Sequence, residues 1–223
     1  MDTEISSNIL KDLYLKQFNL QLFMKEKRGL QAPPALDATE ITHDHVLAAI
    51  YFSSCVNLEW MELNDAYKKY VDQDLLLKSN TGSTDETELA RKEALMELID
   101  VFHFVLSVFI FLGLKLDYVG KLYHYKLGGF ETLQECVGET ALAISKVLSR
   151  TPYKTWKDQK NTRELTTEYE DFLFAQLSVV YNNIMDFALE QLDSCYSEFV
   201  ELYIEKNALN FQRQEDKTLG YIQ

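Results

Sequence analysis

Between Ala94 and Leu114 the chain reads ALMELIDVFHFVLSVFIFLGL, with no glycine before Gly113 and no proline. A run this apolar and this long closes into a helix buried on most sides. Yet Glu97, Asp100 and His103 recur in its first half at three-residue intervals, along one face. An unpaired charge in such company costs several kcal/mol, against a whole-domain margin of about 5–15 kcal/mol. The fold must therefore bring something to that face that neutralises it.

The rest of the chain agrees with a helical answer. Only 8 Gly and 3 Pro interrupt 223 residues, and 47% of them are hydrophobic, so the expected fold class is all-α, a helical bundle. The length suits one domain, 1–223, or one domain carrying a helical insertion at about 115–160. A net charge of −13 repels phosphate backbones and argues against nucleic-acid binding. Cys55, Cys136 and Cys195 are far apart, which points to reduced thiols and excludes a zinc knuckle. The N-terminus MDTEISSNILKDLY has no signal-peptide pattern, and Val101–Leu114 is about half of a membrane span. A cytoplasmic protein without membrane contact is expected.

Periodicity predicts a first helix over Ile5–Lys27 stopped by Gly29, then an extended linker held by Pro33 and Pro34. A second helix starts near the cap Thr42 and runs to about Leu77. After KSNTGSTDETE, turned at Gly82, Ser83 and Glu86 fit a capping box for a third helix that stops at Gly113. The short turn makes the second and third helices antiparallel neighbours. Further helices are expected over Leu116–Leu127, broken at Gly128-Gly129, and over Glu131–Leu148. SRTPYKTWKDQKN, with Pro152, reads as a boundary. Beyond it come helices over Arg163–Gln191 and Asp193–Phe211, and a tail, RQEDKTLGYIQ, that orders on a partner or ligand.

The second helix carries Glu59 and Glu62 and the third Glu97 and Asp100, each pair at i and i+3 on one face. Antiparallel packing lets the pairs face each other. Four carboxylates in an apolar cleft need cations, and an oxygen-only donor set favours Mg²⁺ with positions left for water and phosphate oxygens. Such a site suits attack of water on a phosphoanhydride. A single ExxE is commonly a solvated face; two on adjacent helices, one of them in an apolar run, are harder to read that way. A di-iron bundle is a poor rival. Asp100-x-x-His103 mimics one half of its motif, but His43, His45 and His124 lack an acid three residues earlier. His103 alone reads as a satisfied core histidine.

Three stretches together resemble a known family. Glu97 to Ser107, ELIDVFHFVLS, follows Glu59-x-x-Glu62, and Tyr203 to Gln214 reads YIEKNALNFQRQ. They are similar to the motifs of the all-α dimeric dUTPases, within the helical (MazG-like) NTP pyrophosphohydrolases. The resemblance covers roughly residues 10–25, 55–67, 94–108 and 196–215. It implies Mg²⁺-dependent hydrolysis of dUTP to dUMP and pyrophosphate, extending to dUDP, by a homodimer whose sites are each completed by the neighbour.

By the same resemblance, Glu59, Glu62, Glu97 and Asp100 hold metal, and Glu59 or Glu62 orients or deprotonates the attacking water. Lys206, Asn207, Asn210 and Arg213 meet the phosphates; Lys206, Asn210 and Arg213 share a helical face. Gln17, Gln21 and Phe104 line the base pocket. The chain departs from the family at Gln21, where Asn is expected, and in AYKKYVDQD, which replaces a Trp-Lys cluster. These departures keep open another nucleotide, such as dCTP, or a broad range. A non-catalytic helical interaction protein is the alternative outside the class.

Overall fold

The computed structural model describes residues 5–125, 132–151 and 162–216. Helix α1 spans Ser7–Arg28, α2 His43–Lys78, α3 Thr84–Phe111, α4 Leu116–Val119, α5 Leu133–Arg150, α6 Thr167–Asp186 and α7 Tyr196–Glu215. The expected all-α bundle is what forms. Among the described residues the departure from it is a two-stranded ribbon, β1 (Glu40–Thr42) antiparallel to β2 (Thr162–Glu164), with Ile41 opposite Arg163.

Local signals set most of the ends. Gly29 adopts φ +67° and returns its N–H to Lys25 O, closing α1 with a left-handed cap. Thr42 caps α2, its hydroxyl accepting from His45 N while His45 Nδ1 accepts from Thr42 N. At the end of α3, Gly113 (φ +81°) donates to Ile110 O and Leu114 N donates to Phe109 O. This is the paired closure that a residue in the left-handed region makes possible. A Cβ at Gly113 would also stand 2.6 Å from Leu165. Glycine thus serves both the turn and the close approach of the β2 side.

Several boundaries differ from expectation. Ser83 does sit at the α3 N-cap, but its side chain makes no capping bond; Ser83 O instead accepts from the Thr87 hydroxyl at 2.9 Å. In the α2–α3 turn the left-handed residue is Asn80 (φ 59°), not Gly82. The predicted helix over Leu116–Leu127 is a single turn, Leu116–Val119, closed at Gly120. The long helix expected from Arg163 starts only at Thr167, capped by the Thr166 hydroxyl, because Thr162–Glu164 pairs with β1. Its last turn widens into a π-helical segment, Phe187–Gln191. The break at Gly128-Gly129, residues 152–161 of the boundary segment and residues 217–223 of the tail lie outside the described residues.

Helices α2 and α3 pack along their length as an antiparallel pair, as their short connection requires. Helices α1, α6 and α7 cover the other sides of α3, so almost every residue of Val101–Phe111 is buried. Phe102 is the hub, with ring centroids 5.7 Å from Phe199, 5.8 Å from Tyr203 and 6.2 Å from Tyr181. Tyr203 then donates to Leu13 O at 3.1 Å, and Tyr14 donates to Leu114 O, so both phenols spend their hydroxyls tying α1 in place. By length and composition Thr84–Phe111 and Thr167–Gln191 could each cross a membrane, contrary to the shorter span read from sequence. However, 78% and 61% of their most apolar windows are buried inside the fold.

Candidate active site

Glu59 and Glu62 project from the middle of α2 toward Glu97 on α3. Carboxylate oxygens of the three lie within 4.8 Å of one another. Glu59 and Glu97 are half-buried and Glu62 is exposed, so the cluster opens to solvent on one side. Burial pushes the Glu59 carboxyl up to about 7, helped by the negative charges of Asp100, Glu62 and Glu97 and opposed by Lys206. Burial also raises Glu97; Lys206 opposes the rise, and Asp100 and Glu62 add to it. Helices α2 and α3 thus hold together acids that repel one another. An all-oxygen donor set with excess negative charge and a solvent-facing side fits a hard divalent cation such as Mg²⁺.

Asp100 does not join the trio directly. Its carboxylate accepts from the Lys206 ammonium of α7. Both side chains are about nine-tenths buried (10% and 14% exposed), so the pair is desolvated and the two charges depend on each other. Lys206 therefore sits against the acidic face, at its edge. Asn207 and Asn210 follow it into the interior, and Asn207 Nδ2 and Asn210 Oδ1 have no hydrogen-bond partner. Arg213, one turn further on, is only half-buried.

His103 departs from the sequence reading. It is buried, but it is not a satisfied core histidine: neither ring nitrogen makes a hydrogen bond, and Asp100 Oδ1 stands 3.7 Å from Nδ1. Its ring lies over Tyr203, centroids 4.1 Å apart. Burial holds its pKa below the ordinary value, which keeps it neutral near pH 7. Two unpaired polar atoms beside a cavity are a functional signal that spacing along one helix did not carry.

That cavity, about 290 Å³, lies beside the acidic face. Asp100, His103 and Phe104 of α3 form one wall, Gln17 and Gln21 of α1 another, and Asn210 of α7 a third. Tyr51 and Phe52 of α2 face these, with Phe52 and Phe104 stacked at 6.0 Å between centroids, and Arg28 and Gln214 also line the space. The structure thus brings Gln17, Gln21 and Phe104 together around one space, next to residues from both carboxylate helices. Sequence reasoning missed Tyr51, Phe52 and Ser107. Ser107 lies beneath Gln17 and Gln21, which both donate to its hydroxyl, at 2.8 and 2.9 Å.

A family model described as dUTPase matches residues 83–218, more than half of the chain. The match spans α3 with Glu97 and Asp100 and α7 with Lys206, Asn210 and Arg213, whereas Gln17, Gln21, Glu59 and Glu62 precede it. No curated protein and no solved structure matches the chain.

Proposed function

The chain belongs to the dUTPase family, a family of dUTP-hydrolysing nucleoside triphosphate pyrophosphohydrolases, and from that premise we propose a Mg²⁺-dependent cleavage of dUTP to dUMP and pyrophosphate, with dUDP as a second substrate. The observation that carries this reading is the trio Glu59, Glu62 and Glu97, three carboxylates within 4.8 Å beside a cavity of nucleoside-base dimensions.

Glu59, Glu62 and Glu97 would hold the metal, with Asp100, paired to Lys206, at the edge of the same face. A bound divalent cation supplies neutralisation of the acids and of phosphate charge. Glu59 or Glu62 accepts the proton of the attacking water as the anhydride between the α and β phosphorus atoms breaks and pyrophosphate leaves. Lys206, Asn207, Asn210 and Arg213 bind the phosphate oxygens, which supports the leaving group's negative charge. Phe104 packs on the base, and Gln17 and Gln21 read its edge.

We also infer a homodimer in which the neighbour completes the site. Leu47, Tyr51, Leu58 and Met61 form an exposed apolar stripe along α2, 44–66% exposed, beside Glu59 and Glu62. Light scattering that returns the mass of two chains supports this; the mass of one chain removes it.

Pyrophosphate release from dUTP, dUDP, dCTP, dTTP and UTP, with and without Mg²⁺, tests the reaction. Metal-dependent release confined to dUTP supports it, as does phosphate release from dUDP. Turnover of dCTP or of several triphosphates keeps the chemistry and removes the uracil preference, the outcome that Gln21 in place of Asn favours. Turnover that EDTA leaves unchanged overturns the role given to the carboxylates.

A further inference from the structure

Ser107 interrupts the apolar half of α3 with a hydroxyl that is completely buried. A serine hydroxyl has one hydrogen to give and two lone pairs to offer. Here the hydrogen goes to His103 O at 3.0 Å, one turn back along the helix. Both lone pairs then face α1, where Gln17 Nε2 and Gln21 Nε2 donate to the oxygen at 2.8 and 2.9 Å. Every valence of the hydroxyl is used, and none remains to donate to a glutamine.

This fixes the amides as well as anchoring them. A side-chain amide turned by half a revolution exchanges its oxygen and its nitrogen, presenting an acceptor where it had presented donors. Ser107 accepts and cannot donate, so each amide must turn its NH₂ to the serine. The carbonyl oxygens are held away from it, and Gln17 Oε1, on a residue 2% exposed, has no hydrogen-bond partner at all. A buried acceptor left unpaired is costly, and a donor brought by a ligand recovers that cost. Both glutamines line the same cavity as Phe104.

We propose that Ser107 is a positioning residue for base selection: by locking the polarity of Gln17 and Gln21 it commits the pocket to one donor–acceptor pattern. The pattern presents an acceptor to the ring N–H of a uracil imide. Cytosine carries an acceptor at that ring nitrogen and an amino donor beside it, so it fits an amide only in the opposite rotation or a shifted pose. The inference rests on the reading above that Gln17 and Gln21 face the base, and it adds what sets their orientation.

The test compares kcat/KM for dUTP and dCTP in the wild type, Ser107→Ala and Ser107→Thr, with circular dichroism and thermal melting on each. In Ser107→Ala the amides are free to turn, and the dUTP:dCTP ratio falls at least tenfold. Threonine restores the hydroxyl and returns the ratio to within about threefold of wild type. If Ser107→Ala does not fold, Ser107→Cys takes its place, since a thiol fills the space but accepts weakly, and the ratio must fall there. An unchanged ratio in the folded Ala or Cys variant overturns the proposal. So does an equal loss of rate for both nucleotides, which marks a structural role only, and so does failure of Thr to restore the ratio. Wild-type protein that turns over neither nucleotide defeats the underlying reading instead, and the proposal with it.

Discussion

Two stretches of α3, six residues and about 9 Å apart along the axis, treat charge in opposite ways. At Arg91 the guanidinium meets Glu88 at 2.8 Å, Glu198 at 2.5 Å and Leu192 O at 3.0 Å. Burial pushes Glu198 up, but the bonds from Arg91 and Ser194 overcome this and hold its carboxyl below the ordinary value. Folding makes that site more comfortable for charge. At Glu97 three carboxylates converge, and Glu59 is driven up to about 7. Folding makes that site less comfortable. The first arrangement joins α3 to the α6–α7 turn and α7; the second does nothing for the apo fold that a neutral side chain could not do better. Electrostatic strain retained beside a cavity, six residues from a fully paired arginine on the same helix, is the physical mark of a ligand site.

If the contrast is functional, neutralising one acid should cost activity far more than stability. Glu97→Gln is expected to lower Mg²⁺-supported dUTP turnover by about 10²–10³-fold, the scale on which loss of one electrostatic contact to a transition state is felt. Steady-state pyrophosphate release measures it, and a loss under threefold would remove Glu97 from the chemistry. Arg91→Ala should do the reverse. It strips a largely buried cation from two carboxylates, at a cost of about 2 kcal/mol and a melting temperature lower by about 4–8 °C. Turnover by the protein still folded at 20 °C should stay close to wild type, and an unaltered melt would show the network to be ornamental.

The smallest effect is also the most diagnostic. Glu59 is an acid whose folded pKa, about 7, exceeds its ordinary 4.5. Between those values the folded chain binds more protons than the unfolded one. Its contribution to stability is therefore present below about pH 4.5 and is lost as pH rises through 7. In metal-free buffer at pH 7.5, Glu59→Gln should raise the melting temperature by about 2–4 °C, roughly 1 kcal/mol once the site's partial exposure is discounted. The gain should shrink toward zero near pH 4.5. A variant less stable than wild type at pH 7.5 would show that the trio is not strained.

The site was legible in proportion to how local its signals are. Glu59-x-x-Glu62 and Glu97-x-x-Asp100 lie on single helix faces, and a short connection forced those helices together, so the trio follows from the chain. Asp100 turned instead to Lys206, because α7 packs against α3 more than a hundred residues later. The ribbon escaped notice because three residues per strand are too few for an alternating pattern to appear. The helix expected over Leu116–Leu127 shrank to one turn closed at Gly120, where an added Cβ would meet the Lys11 side chain of α1 at 2.2 Å. The Lys11 end can swing aside, so this contact does not by itself fix the helix end.

By itself, the order of residues determined the all-α class, most helix ends and the pairing of the two carboxylate helices, because capping, periodicity and loop length act within a few residues of where they are written. It also carried the family likeness, in motifs that each occupy one helix. Only the tertiary structure decided which polar atoms in the interior are paired and which are not. It left the His103 ring nitrogens and Gln17 Oε1 without hydrogen bonds and saturated Ser107 from a helix some ninety residues earlier. Hydrogen-bond satisfaction is a property of the neighbourhood, and a neighbourhood built from α1, α3 and α7 exists only once all three have docked.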